Sequence, residues 1–155
     1  MAKHPKRSTV DRSYSAKPHY IFRPNFAAGT PSPAAVLSHK AAHLLDNLVA
    51  QYNGKNNGDL SAAPKIMALF GWSSHGSVDD AIVELITQGF IEQTRQGGRN
   101  QCSLYAITWQ PIDECGGKLD IKPTIVASNL WKPENAEKRD KRFVNRFETK
   151  RKKLK

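Results

Sequence analysis

TRQGGRNQCSLYAITW, residues 94–109, is the stretch on which the fold turns. Two runs rich in β-forming residues, Phe90 to Arg95 and Asn100 to Trp109, flank the pair Gly97-Gly98. A Gly-Gly pair supplies the positive φ angles that a tight hairpin needs, so the stretch predicts two antiparallel strands. Just upstream, Val78, Ala81, Ile82, Leu85 and Ile86 recur at helical spacing and Gly89 closes the run. That pattern predicts an amphipathic helix from Ser74 or Ser77 to Gln88, with Ser77 and Asp80 fitting a capping box.

Earlier still, Ser61 is expected to cap a short helix with Pro64 in its first turn and Gly71 as its stop. A longer helix is expected after Ser38, where Ala41, Leu44, Leu45, Leu48, Val49 and Tyr52 form one stripe, ended by Asn53 and Gly54. KNNGDL (55–60) reads as a turn into a very short strand at Asp59 and Leu60. The order helix, short strand, helix, helix, hairpin is α+β and is that of a winged helix-turn-helix: three helices plus a β-hairpin wing.

Around this core, residues 1–36 hold Pro5, Pro18, Pro24, Pro31 and Pro33 and read as an extended basic arm, in which HYIFRPNF (19–26) could add an edge strand. Residues 37–113 make the domain. Residues 114–132 are irregular but carry apolar residues that pack on it, and 133–155 form a basic helical tail supported by Glu134–Lys138 and Glu137–Lys141 pairs and fraying at KRKKLK.

Of 155 residues, 39% are hydrophobic and 25% charged, which suits one globular domain with tails. No run of eighteen apolar residues exists, so no membrane span is expected, and MAKHPKRSTV lacks the apolar segment of a secretory signal. A cytoplasmic location is expected. Cys102 and Cys115 form neither a CxxC pair nor part of a zinc set.

The net charge is +10, unevenly spread. Residues 1–25 carry six Lys/Arg against one Asp, 138–155 carry ten against two acids, and the middle carries eight against eleven. A slightly acidic module with cationic ends suits a polyanionic partner.

YNGKNNGDL (52–60), the EL..QGFI segment (84–91) and TRQGGRNQCSLYAITW followed by PID (94–113) resemble small winged-helix proteins of bacterial plasmids, phages and integrated elements. The resemblance covers about half of the chain and implies a winged-helix fold with a DNA-binding role. It implies nothing about the arm or the tail.

In such a protein the third helix would present its N-terminal residues to the major groove, here Ser73, Ser74, His75 and Ser77. The same serines also read as ordinary helix caps. Asp79, Asp80 and Glu84 leave that helix without an exposed Lys or Arg, so affinity must come from elsewhere. The wing offers Arg95, Gln96, Arg99, Asn100 and Gln101, suited to a minor groove or flanking phosphates. In the tail stand Lys138, Arg139, Lys141, Arg142, Arg146, Lys150, Arg151, Lys152 and Lys153, interleaved with Phe143, Val144 and Phe147, which are expected to dock.

His39 and His43 are four apart, but no glutamate and third ligand accompany them as in a zinc protease. No GxSxG, P-loop or GxGxxG motif appears, so no enzyme and no cofactor are expected. The expected function is duplex DNA binding, as a transcriptional regulator or replication accessory of a mobile element. Two alternatives stand beside it: a protein-interaction adaptor using the acidic core, and RNA or single-strand binding through the tails. A homodimer or a protein partner is left open.

Overall fold

The computed structural model describes residues 14–155. Lys3, Lys6, Arg7 and Arg12 of the expected arm lie outside them. The chain is α+β, a small three-stranded antiparallel sheet surrounded by helices.

Helix α2 (His39–Gln51) starts where the sequence places it, because the Ser38 hydroxyl accepts from the Ala41 N–H at 3.2 Å. A one-turn helix, α1 (His19–Phe22), precedes it. Strand β1 (Leu60–Ser61), α3 (Pro64–Leu69), α4 (His75–Thr87), β2 (Ile91–Arg95) and β3 (Leu104–Ile107) follow in the expected order. The sheet order is β1-β3-β2, so the hairpin returns its second strand to the centre. Leu44, Leu45 and Leu48 of α2, Leu85 of α4, Leu60, Ile91 and Ile107 meet in one core and are almost wholly shielded from solvent.

Several local details differ from the sequence reading. Residues 19–26 form a helical turn and a bend closed by an Asn25–Thr30 bridge rather than an edge strand. Ile21 in that turn is 0% exposed and joins the core, while Phe22 sets its ring edge-on against Trp109. The described part of the arm is therefore bolted to the domain by apolar contact. Ser61 lies in β1, and Ala63 takes the cap position of α3. Ser74, not Ser77, caps α4, accepting from the Ser77 N–H at 3.3 Å.

The hairpin corner also moves. Gly97 and Gly98 have ordinary φ values, and the left-handed residue is Asn100, at φ +68°. A Gly98–Gln101 bridge puts Arg99 and Asn100 at the corner, with the positive φ at its second position, as in a type II turn. Gly97 is needed for closeness instead, since a Cβ there would lie 2.6 Å from the Ser103 nitrogen. The second strand correspondingly begins at Leu104 rather than Asn100.

Residues 114–132 wrap the sheet through scattered backbone contacts, including Asp120 N–H to Thr94 O at 2.9 Å and Asn129 N–H to Thr108 O at 2.7 Å. The tail holds a 3-10 turn at Pro133–Lys138 and then α5 (Lys141–Lys153), capped by Asp140. The helix therefore starts later than Pro133 and continues through the lysine run. Neither of the two expected Glu–Lys pairs forms among the described residues; Lys138 donates to Asn135 instead.

On β2, Glu92 is half-buried and accepts from the Ser128 hydroxyl at 2.8 Å. Burial pushes its carboxyl above the usual range, and the Ser128 bond only partly offsets this. The folded state thus holds the proton more tightly than the unfolded chain, so the Glu92 contribution to stability falls as pH rises from the unfolded toward the folded value. Glu92→Gln keeps an acceptor for Ser128 and removes the charge. It is expected to raise the urea midpoint near about pH 7, with the gain shrinking toward about pH 4. An equal midpoint at both pH values would show that the carboxylate costs nothing.

Candidate nucleic-acid interface

The tail helix decides what the expected interface looks like. Arg139 Nη1 donates to Thr87 O, at the C-terminal end of α4, at 3.2 Å, and Lys150 pairs with Asp80 near the other end. Helix α5 therefore runs antiparallel along α4. Its docked face carries Phe143, Val144, Phe147 and Lys150, which are half-buried at spacings that share one side of a helix. Val83 lies outside the central core cluster yet is only 2% exposed, because α5 covers that side of α4. The aromatics of the tail dock, as the sequence suggests.

This placement alters the meaning of the acidic residues on α4. Asp80 is paired with Lys150. Glu84 accepts from both the Ser38 N–H at 2.6 Å and the Ser38 hydroxyl at 2.7 Å, binding the start of α2. Of the three, only Asp79 makes neither an ion pair nor a side-chain hydrogen bond among the described residues. Two of the three carboxylates that would repel phosphate are thus spent on folding.

The tail cations divide in the same way. Arg139 is structural: Nε donates to Leu130 O at 2.7 Å, and its other nitrogens reach Thr87, Trp131 and Lys132 carbonyls at 3.2 to 3.4 Å. Burial lowers its affinity for the proton, though guanidinium remains charged at any working pH. Arg142 is bidentate on Asp140 at the helix start, with Nη2 at 2.7 Å. Lys138, Lys141, Arg146, Arg151, Lys152 and Lys153 are exposed. Of those in α5, Lys141 and Lys152 lie opposite the docked face, Arg146 and Lys153 flank it, and Arg151 follows Phe147 by one turn, its guanidinium 5.9 Å from that ring.

Among the hairpin candidates, Arg95 donates twice to Cys102 O, at 3.1 and 2.8 Å, and bridges the two strands beside a bulge between Gln93 and Arg95. Gln96 binds Asp120 through its backbone at 2.7 Å, and the Gln101 amide donates to Gln96 O at 3.2 Å. Arg99 and Asn100 remain at the exposed corner. No family model, curated protein or solved structure matches the chain.

Ser73, Ser74 and His75 are exposed at the start of α4, and Ser77 is half-buried and accepts from Lys40 Nζ at 3.1 Å. The Asp80–Lys150 pair brings the second half of α5 beside this helix start. No hydrogen bond or ion pair joins the hairpin corner to either element among the described residues. Lys40 escapes a reading of spacing alone; its position beside Ser77 depends on the α2–α4 crossing. Among the described residues, no helix is long and apolar enough to cross a membrane.

Proposed function

We propose that the protein binds duplex DNA through a winged-helix-like core whose main cationic surface is the outer side of α5. The observation that carries this reading is the docking of α5. One side is held on α4 by Phe143, Val144, Phe147 and Lys150, which leaves Lys141, Arg146, Arg151, Lys152 and Lys153 exposed on a rigid support. A helix that presents cations at fixed positions loses less conformational entropy on meeting phosphates than a loose tail. The element order and the β1-β3-β2 sheet are compatible with a winged helix.

In this reading α4 offers only its first turn to a groove, since α5 covers the remainder of its outer side. Arg99 and Asn100 at the hairpin corner supply a second contact. The resemblance of the core supports a winged helix that binds DNA, and we extend it to a role as regulator or replication accessory of a mobile element. An adaptor that used the acidic side of α4 has less to work with, because Asp80 and Glu84 are already engaged.

Titration of the full chain against duplex DNA, single-stranded DNA and RNA at two salt concentrations tests the proposal. Duplex is expected to bind tightest, with affinity falling steeply as salt rises. Arg146→Glu with Lys152→Glu should flatten the slope of log K against log salt by about 1.8, the loss of two phosphate contacts. Arg99→Ala should weaken binding less, and it is a cleaner probe than Arg95, whose loss also disturbs the hairpin. Salt-insensitive binding to a protein alone, or a preference for single strands, would overturn the duplex reading.

A further inference from the structure

Between the N-terminal ends of α2 and α4 lies an open groove of about 440 Å³, lined by His39, Lys40, His43, Trp72, Ser74 and Ser77 among others. The lining contains no carboxylate. That is notable in the acidic middle of this chain, where acids outnumber Lys and Arg by eleven to eight. Of the three carboxylates that α4 contributes next, Asp80 and Glu84 are turned to Lys150 and Ser38, and Asp79 stands outside the lining.

Lys40 is held differently from the lysines that form ion pairs in the fold. Lys17, Lys118 and Lys150 each meet a carboxylate, on Asp46, Asp59 and Asp80. Lys40 instead donates to the neutral Ser77 hydroxyl at 3.1 Å and makes no salt bridge among the described residues. Its ammonium is positioned but its charge is uncompensated. His39 and His43 flank it, one helical turn apart. The His43 ring stacks on Trp72, centroids 5.4 Å apart and planes at 24°, which restrains the ring and leaves its edge nitrogens free of the stack.

We infer that this groove seats one phosphate group of the bound nucleic acid, with Lys40 as the central charge, His39 and His43 as flanking donors, and the Ser74 and Ser77 hydroxyls closing one side. A phosphate offers several acceptor oxygens, and an ammonium with nearby N–H and O–H donors satisfies them without needing a base sequence. The groove adds a contact point on the core itself, separate from α5 and from the hairpin. It rests on the nucleic-acid reading above.

Lys40→Gln with His43→Gln tests it, because both side chains are exposed and leave the core untouched. The double variant should bind duplex about eightfold more weakly near 0.1 M salt, with a slope flatter by about 0.9, the signature of one lost phosphate contact. In the wild-type chain, duplex should shift the Trp72 indole N–H and the His75 and Gly76 amide resonances, and those shifts should fail in the variant. Duplex affinity and slope unchanged by the substitutions, with those resonances unmoved, would overturn the groove while leaving α5 binding intact. If inorganic phosphate moves the same resonances and no nucleic acid binds at all, the nucleic-acid assignment and the proposed function both fall.

Discussion

Asn57→Ala is expected to cost about 4 kcal/mol, a large fraction of the roughly 5–15 kcal/mol that keeps a domain folded. Asn57 is 0% exposed. Its Nδ2 lies 3.0, 3.1 and 2.9 Å from the carbonyls of Ile107, Gln110 and Pro111, and its Oδ1 accepts from the Ile107 N–H at 2.9 Å. One amide thus stitches the turn after α2 to the end of the central strand. Its backbone continues the seam, exchanging bonds with Asp113 through the Asp113 N–H and Oδ2, both at 2.8 Å. Alanine would strand the Ile107 N–H and C=O in the interior, each costing roughly 1–3 kcal/mol, and leave a void besides. Asn57→Asp should be worse, because a buried carboxylate would face three carbonyl oxygens. Urea unfolding measures both; a loss below about 1 kcal/mol for alanine would show that water reaches these groups.

Gly89→Ala should cost about 3 kcal/mol and should also loosen α5. Gly89 closes α4 at φ +80°, and a Cβ there would lie 2.0 Å from Leu130 O and 2.7 Å from Arg139 Nε. That carbonyl is the nearest acceptor of Arg139, at 2.7 Å. Displacing it unfastens the clasp that brings the tail onto the end of α4. Gly54→Ala is the control: φ is +94°, yet nothing lies within 4 Å of its Cβ position, so only the left-handed strain of about 1 kcal/mol remains. The Gly89 variant should unfold earlier than the Gly54 variant, and its α5 amides should exchange faster with solvent. Equal losses, with equal exchange in α5, would mean that Leu130 yields at no cost.

Much of the core is legible in the sequence because its signals are short-range. Ser38 caps α2 through a hydroxyl three residues from its donor, and the stripe of Val78, Ala81, Ile82, Leu85 and Ile86 is a property of helical spacing alone. The hairpin is legible as well, though not its corner: Asn100 takes the left-handed conformation that the adjacent glycines would have accepted. The Gly98–Gln101 bridge settles that choice by fixing which two residues stand between the strands. Asn57 escapes notice because an asparagine beside a glycine reads as a turn residue, and the three residues its side chain bonds lie 50 to 54 positions away.

The candidate interface divides along the same line. The sequence by itself determined α2, α3 and α4, the Ser38 cap, the short strand and the hairpin, and it located the cations at the two ends of the chain. Periodicity and capping act within one or two turns, where neighbours in sequence are neighbours in space. Only the tertiary structure decided what each charge is for. It placed α5 on α4, turned Asp80 to Lys150 and Glu84 to Ser38, tied Arg95 and Arg139 to backbone carbonyls, and left Lys40 beside a hydroxyl. A side chain's charge is written in the sequence, but whether that charge is already satisfied depends on partners brought near by packing.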